Sequence, residues 1–101
     1  MRADIEYDFS ENAMIINSLK YYYFGKTYSV VNSKKSLQRK KMLLNNIISE
    51  IENDELLKID NWTYVRQSIT GIVFGQLKKI ECELDVKNLK KEYGLLKIFC
   101  R

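Results

Sequence analysis

The tripeptide Gly25-Lys26-Thr27 has the residue types that end a phosphate-binding loop. The complete loop, G-x-x-x-x-G-K-[ST], requires another glycine five positions before the Gly-Lys pair, because a glycine-rich backbone holds the phosphates. This chain has Lys20 at that position, and the Tyr-Ser-Val-Val that follows is not a typical helix start. The sequence therefore argues against a nucleotide site, and we expect no cofactor.

The chain lacks the residues that catalysis and metal binding most often use. The chain has no histidine, which is the commonest general base and the commonest metal ligand. Cys82 and Cys100 are too few and too far apart for a disulfide framework or a closed zinc shell, so we expect free thiols. The carboxylates at 50–55 and 81–85 are typical of solvated helix faces. We expect no catalytic residue, no metal site and no enzyme activity.

The residues on both sides of Gly25 are typical of a β-hairpin. Three adjacent tyrosines precede this glycine, and the Thr-Tyr-Ser-Val-Val that follows Lys26 has strand propensity. Glycine at the first of two turn positions suits a type II′ turn, which needs a positive φ there. Further upstream, apolar and charged residues alternate, which predicts a first strand at about 3–9.

A rival interpretation makes residues 11–24 a helix that ends at Gly25. Its apolar stripe would contain Ile15, Leu19 and either Tyr22 or Tyr23. We favour the hairpin because adjacent tyrosines and β-branched residues are better strand formers than helix formers. Whether residues 11–24 are strand or helix stays open at this point.

Helical periodicity begins after Ser33 or Ser36. It predicts a first helix at about 34–57 and a second at about 61–84, the second capped by Asp60. The stripe of the second helix is the longest periodic signal in the chain: Trp62, Val65, Ile69, Val73, Leu77, Ile80 and Leu84. A short third helix from Asp85 to Tyr93, a stop at Gly94 and a strand at 95–100 would complete the chain.

The predicted fold is a single α+β domain over residues 1–101. An N-terminal antiparallel three-stranded sheet packs on two long helices, followed by the short third helix and the C-terminal strand; a mostly α fold is the alternative. Gly71 and Gly75 lie on the far side of the second helix from its stripe, and each loses roughly 1 kcal/mol against alanine. We expect another backbone to approach them, either the sheet of this domain or, in a homodimer, a second chain.

The cations are grouped, although the formal net charge is only +4. One group lies at the start of the first helix, where cations oppose the helix macrodipole, while carboxylates occupy the other end. This reversed order predicts a site for an acidic protein surface or for phosphate. Lys20 and Tyr22 would lie on the exposed face of the sheet, with Tyr22 available for stacking. The predicted partner-binding residues are Lys34, Lys35, Arg39, Lys40, Lys41, Lys20 and Tyr22.

The sequence favours a small non-enzymatic interaction protein, a regulator or inhibitor that docks on a larger partner through the basic helix end and the sheet. The partner would be an acidic protein surface or a nucleoprotein complex. A direct nucleic-acid binder with sheet and basic helix on the phosphate backbone is the first alternative, although its strand face lacks the Arg, Asn and Gln that read base edges. An oligomeric structural component is the second.

Location and origin can be addressed only through composition. The charged first residues and the lack of an apolar run of about 18 residues lead us to expect a cytoplasmic protein with no membrane partner. Thirteen lysines against four arginines, with two alanines and no proline, suggest an AT-rich genome. A low-GC bacterium, its phages or its mobile elements have such genomes.

Overall fold

The computed structural model describes the backbone of residues 2–93 and the side chains of residues 12–91. This part of the chain forms three α-helices: α1 (Arg2–Val31), α2 (Leu37–Asn53) and α3 (Thr63–Tyr93). Two 3-10 turns, Leu56–Lys58 and Asp60–Trp62, join α2 to α3. Residues 2–93 contain no strand, so the predicted α+β fold is wrong, and the fold is an all-α bundle of three helices.

Helix α1 replaces the predicted strand at 3–9 and the predicted hairpin. Gly25 lies inside this helix without a positive φ, so it forms neither a hairpin turn nor the end of a helix. Most residues of α1 that contact the core are three or four positions apart, which is helical spacing. They are Ile16, Leu19, Tyr23, Thr27 and Val30, and Phe24 and Val31 also pack partly against the core. Strand propensity is strongly context-dependent, and packing of this face decides the conformation here.

Helix α2 begins at the second of the two predicted serines. Ser36 is its N-cap, and the Ser36 hydroxyl oxygen accepts a hydrogen bond of 3.2 Å from the backbone N–H of Arg39. Such a cap satisfies one of the backbone donors that a helix start leaves unpaired. The helix is shorter than the predicted 34–57 and buries Leu44, Ile47, Ile48 and Ile51.

The predicted stripe of α3 is confirmed. Six of its residues are buried, from Trp62 to Ile80, and Leu84 packs against them partly exposed. The helix continues without a break past Asp85 to Tyr93, so the separate short third helix is wrong. The predicted stop at Gly94 and the strand at 95–100 lie outside the described residues. Cys82 is disulfide-bonded, which corrects the expectation of a free thiol at this position.

The three helices are staggered along the bundle. The molecule is 68 Å long with cross-sectional extents of 21 and 19 Å. A helix of the length of α1 or α3 spans only about 45 Å at 1.5 Å per residue, so these two helices are offset along the long axis. Among the helices in residues 2–93, none has a stretch both long and apolar enough to cross a bilayer.

Replacement of Gly25 by alanine should stabilise the protein. A Cβ at this position would meet no other atom within 4 Å, so the substitution adds helix propensity without a clash. We expect Gly25→Ala to raise the free energy of unfolding by roughly 1 kcal/mol. Urea titration at low protein concentration, followed by circular dichroism, measures this change. A loss of the same size would indicate a positive φ and hence the hairpin turn.

Candidate docking surface

A partly buried hydrogen bond anchors α1 to the end of α2. The hydroxyl of Tyr23, which is 3% exposed, donates to Asp54 Oδ2 over 2.5 Å. Asp54 Oδ1 also accepts the backbone N–H of Leu56 at 3.0 Å, which fixes the carboxylate at the C-cap of α2. Burial raises the pKa of Tyr23 well above its ordinary value, and the hydrogen bond to Asp54 and the charge of Asp54 raise it further.

An exposed ion pair lies one turn further along α1. Lys26 Nζ contacts both carboxylate oxygens of Glu50, at 2.6 and 2.8 Å. The same ammonium donates to the Tyr22 hydroxyl at 3.2 Å and lies 5.2 Å from the centre of the Tyr22 ring. The hydrogen bonds to Glu50 and Tyr22 raise the pKa of Lys26. Tyr22 in turn packs edge-on against Tyr23, with ring centres 5.0 Å apart.

Lys40 holds the C-terminal end of α1. Its ammonium donates to the backbone oxygen of Val31, the last residue of α1, over 2.7 Å. A cation is favoured at a helix C-terminus, so this contact offsets the unfavourable position of Lys40 in the first turn of α2. The reversed charge order of α2 is therefore partly explained inside the fold, since cations at one end and carboxylates at the other both bind α1.

The remaining predicted cations form a cluster that we call the basic corner, made of Lys34, Lys35, Arg39 and Lys41. Lys34, Lys35 and Arg39 are exposed, and Lys41 is half-buried. Within residues 12–91, none of their side chains takes part in an ion pair or a hydrogen bond. Unlike Lys40, these four cations have no structural task in the described part of the chain.

The side of α1 that faces away from α2 and α3, its outer face, carries large apolar residues. Met14, Tyr21 and Tyr28 are 71%, 83% and 56% exposed. Gly25 leaves a gap between the two tyrosines, because an added Cβ there would meet nothing within 4 Å. The result is a shallow groove of about 460 Å³ lined by Asn17, Lys20, Tyr21, Phe24, Gly25 and Tyr28.

The structure separates the two predicted residues that lie on α1. Lys20 lines the groove on the outer face. Tyr22 lies two residues further and therefore about 200° around the helix, where it contacts Lys26. The sheet face that was expected to hold both residues does not exist. Tyr21 and Tyr28 were missed as surface residues because the hairpin interpretation placed them on its buried face.

Gly71 and Gly75 have no close neighbour. Both are exposed, and a Cβ at either position would meet nothing within 4 Å. The expectation that a sheet of this domain approaches them is therefore wrong. Tyr64 and Phe74, which share this side of α3, are 67% and 44% exposed. The far side of α3 is thus a second exposed surface.

Comparison with known proteins gives no relative: no protein-family model matches the chain, and no curated protein or solved structure is similar to it. The functional argument therefore depends on the two features described above. These are the basic corner and the groove on the outer face of α1, which are neighbours along the chain, since Lys34 and Lys35 follow soon after α1 ends at Val31.

Alkaline pH should destabilise the protein through Tyr23 and Lys26. Both pKa values are raised by folding, so the stability they contribute is complete below the unfolded pKa values of about 10 and is lost as the pH rises through the folded ones. Tyr23→Phe should lose about 1–2 kcal/mol at neutral pH, because Asp54 loses its donor.

Urea unfolding between neutral pH and pH 11 measures both effects. Above pH 10 the stability of Tyr23→Phe should fall less steeply than that of the wild type, because one of the two titrating groups is gone. Tyr64→Phe is the matched control, since Tyr64 is an exposed tyrosine of α3 that is not among the groups that raise the pKa of Tyr23 or Lys26. Parallel profiles for the wild type and Tyr23→Phe would contradict the assignment.

Proposed function

We propose that this protein is a non-enzymatic interaction protein that docks on a larger acidic partner through the basic corner and the outer face of α1. The observation that carries the proposal is the adjacency of these two features. An apolar groove with unpaired cations at one end matches a partner element that is apolar along its length and acidic at its end.

The apolar half of the argument is the exposure of Tyr21 and Tyr28. Aromatic residues are enriched at the centres of protein interfaces because they bury a large area and keep a polar tip. Single exposed tyrosines are ordinary, but these two lie on one side of α1 and line the same apolar groove. Gly25 supports the same interpretation, since it loses roughly 1 kcal/mol of helix stability and opens the groove.

The charged half of the argument is the basic corner. Cations at the start of α2 oppose its dipole, by roughly 0.3–1 kcal/mol for one in the first turn, such as Arg39, and by less for Lys34 and Lys35, which precede the N-cap Ser36. Lys40 recovers this energy at the end of α1, but Lys34, Lys35 and Arg39 have no such contact in the described residues. An acidic partner would provide the missing compensation and would also accelerate association.

Nucleic acid is the second candidate partner. The N–H groups of the first turn of α2 point away from the helix beside these cations, an arrangement that also suits phosphate. We favour a protein because the basic corner continues into an apolar aromatic groove rather than into a second row of cations. The salt dependence of binding separates the two candidates.

Charge reversal at the basic corner tests the proposal. The variant Lys34→Glu/Lys35→Glu/Arg39→Glu should be as stable as the wild type or slightly more stable, because carboxylates suit a helix N-terminus. It should lose partner capture in pull-downs from cell lysate. Lys87→Glu/Lys90→Glu/Lys91→Glu is the matched control, since it changes the net charge equally on exposed residues of α3.

Only Lys34→Glu/Lys35→Glu/Arg39→Glu should fail to capture the partner. Nuclease treatment of the lysate should leave capture by the wild type and by the control variant unchanged. Capture that disappears with nuclease, with a log–log salt slope of about −0.9 per phosphate, would make nucleic acid the partner. Equal capture by both variants and the wild type would remove the basic corner from the docking surface.

A further inference from the structure

The groove on the outer face of α1 has a shape and a charge pattern that select one kind of occupant. We propose that it receives an amphipathic α-helix of the acidic partner, which packs along α1. One large apolar side chain of that helix fills the space beside Gly25, and a carboxylate about one turn away binds Lys20. The inference rests on the docking surface proposed above and names the element that fills it.

The residues that line the groove have the spacing of a surface that receives a helix. They lie three, four, seven, eight and eleven positions after Asn17 along α1. In helix packing, a side chain of one helix inserts into a hole formed by four residues of the other, at positions i, i+3, i+4 and i+7. The lining contains two such holes in succession. They are Asn17, Lys20, Tyr21 and Phe24, and then Tyr21, Phe24, Gly25 and Tyr28.

The two holes differ in depth and in polarity. Gly25 is one corner of the second hole, and an added Cβ there would meet no atom within 4 Å, which leaves space for a large side chain. The other three corners of this hole are aromatic. The first hole instead has Asn17 and Lys20 at its outer end. A large apolar side chain therefore suits the second hole, and an acidic one suits the first.

Lys20 supplies a charge that the fold does not compensate. Within residues 12–91 its ammonium takes part in no ion pair and no hydrogen bond, whereas Lys26, six residues further on, is held by Glu50. The wall of the groove is almost wholly apolar, so Lys20 lines it with its methylene chain and its ammonium lies at the rim. A carboxylate on a helix seated in the groove would meet this ammonium partly shielded from water, where an ion pair is stronger.

Other peptide conformations fit this surface less well. A strand binds through backbone hydrogen bonds to an exposed sheet edge, but the backbone groups in the middle of α1 are already paired within the helix. A polyproline II peptide returns to the same face only about every 9 Å. The two holes are four residues, and therefore about 6 Å, apart along α1. Side chains four positions apart on a second helix have this separation.

Selection from a phage-displayed library of random peptides of about 16 residues, with the full-length protein as bait, tests the inference without assuming a partner sequence. We expect enriched peptides to share a large apolar residue with Asp or Glu three or four positions away. They should become helical on binding in difference circular dichroism. Selection on Lys20→Glu should exchange that acid for Lys or Arg. Selection on Lys87→Glu, at an exposed position of α3, is the matched control and should retain the acid.

Side chains of increasing size at Gly25 test the apolar hole. Gly25→Ala and Gly25→Leu should weaken binding of a selected peptide in order of size, and Gly25→Leu should raise the Kd by roughly 10-fold or more, because the added side chain occupies the space. Gly71→Ala and Gly71→Leu are the matched controls, since Gly71 is also an exposed helical glycine without a close neighbour. Urea unfolding separates lost binding from lost stability, since all four variants should be at least as stable as the wild type.

Proline-rich or alternating consensus patterns, an acid that is absent or that persists on Lys20→Glu, or no enrichment at all would overturn the inference. Binding that Gly25→Leu leaves unchanged would overturn it as well. Exchange of the acid for a base, together with the dependence on Gly25, supports it. Capture from lysate by the Lys34→Glu/Lys35→Glu/Arg39→Glu variant is measured independently, so the docking surface and the helix that fills it can fail separately.

Discussion

The hydrogen bond from Tyr23 to Asp54 sets the rotation of α1, and the surface of the protein depends on that rotation. A helix that packs on one side can turn about its axis, and each residue step moves a side chain by about 100°. With Tyr23 fixed against the end of α2, Tyr22 reaches the Lys26 ammonium at the edge of the interface, and Tyr21 is left 83% exposed. Three chemically identical neighbours therefore have three different roles, one in the core, one at its edge and one on the outer face.

Helix α2 is the element that holds the C-terminal third of α1, from Tyr23 to Val31. Lys40 binds the terminal carbonyl of α1, and Glu50 and Asp54 bind side chains of α1 near the other end of α2. The charges of α2 are unfavourable for that helix alone, because each sign lies at the wrong end of its dipole. Some of that energy is returned by contacts with α1. The cations that are not used in this way form the basic corner, which is why that corner, rather than the whole start of α2, is the candidate docking surface.

The sequence was sufficient for the existence of α2 and the buried stripe of α3, but not for their bounds, and it was insufficient for α1. The stripe from Trp62 to Ile80 is apolar at every step, so its helical period is visible in the sequence. The buried side of α1 contains Thr27 and a tyrosine whose partner is 31 residues away, while tyrosines of equal hydrophobicity lie outside. Periodicity could not separate the two sides, and Gly25 resembled a turn. The cation cluster was visible in the sequence, but the contact of Lys40 was not, because it depends on a carbonyl nine residues earlier in the chain.

A double-mutant cycle between Tyr23→Phe and Asp54→Ala tests the central claim most directly, namely that α1 is one helix docked with this face inward. The account predicts a coupling energy of about 1–2 kcal/mol in urea unfolding, as expected for a partly buried hydrogen bond to a carboxylate. The same cycle with Tyr22→Phe should give a coupling close to zero, since Tyr22 does not contact Asp54. Additive effects of Tyr23→Phe and Asp54→Ala would contradict the docking of α1 and, with it, the assignment of its outer face.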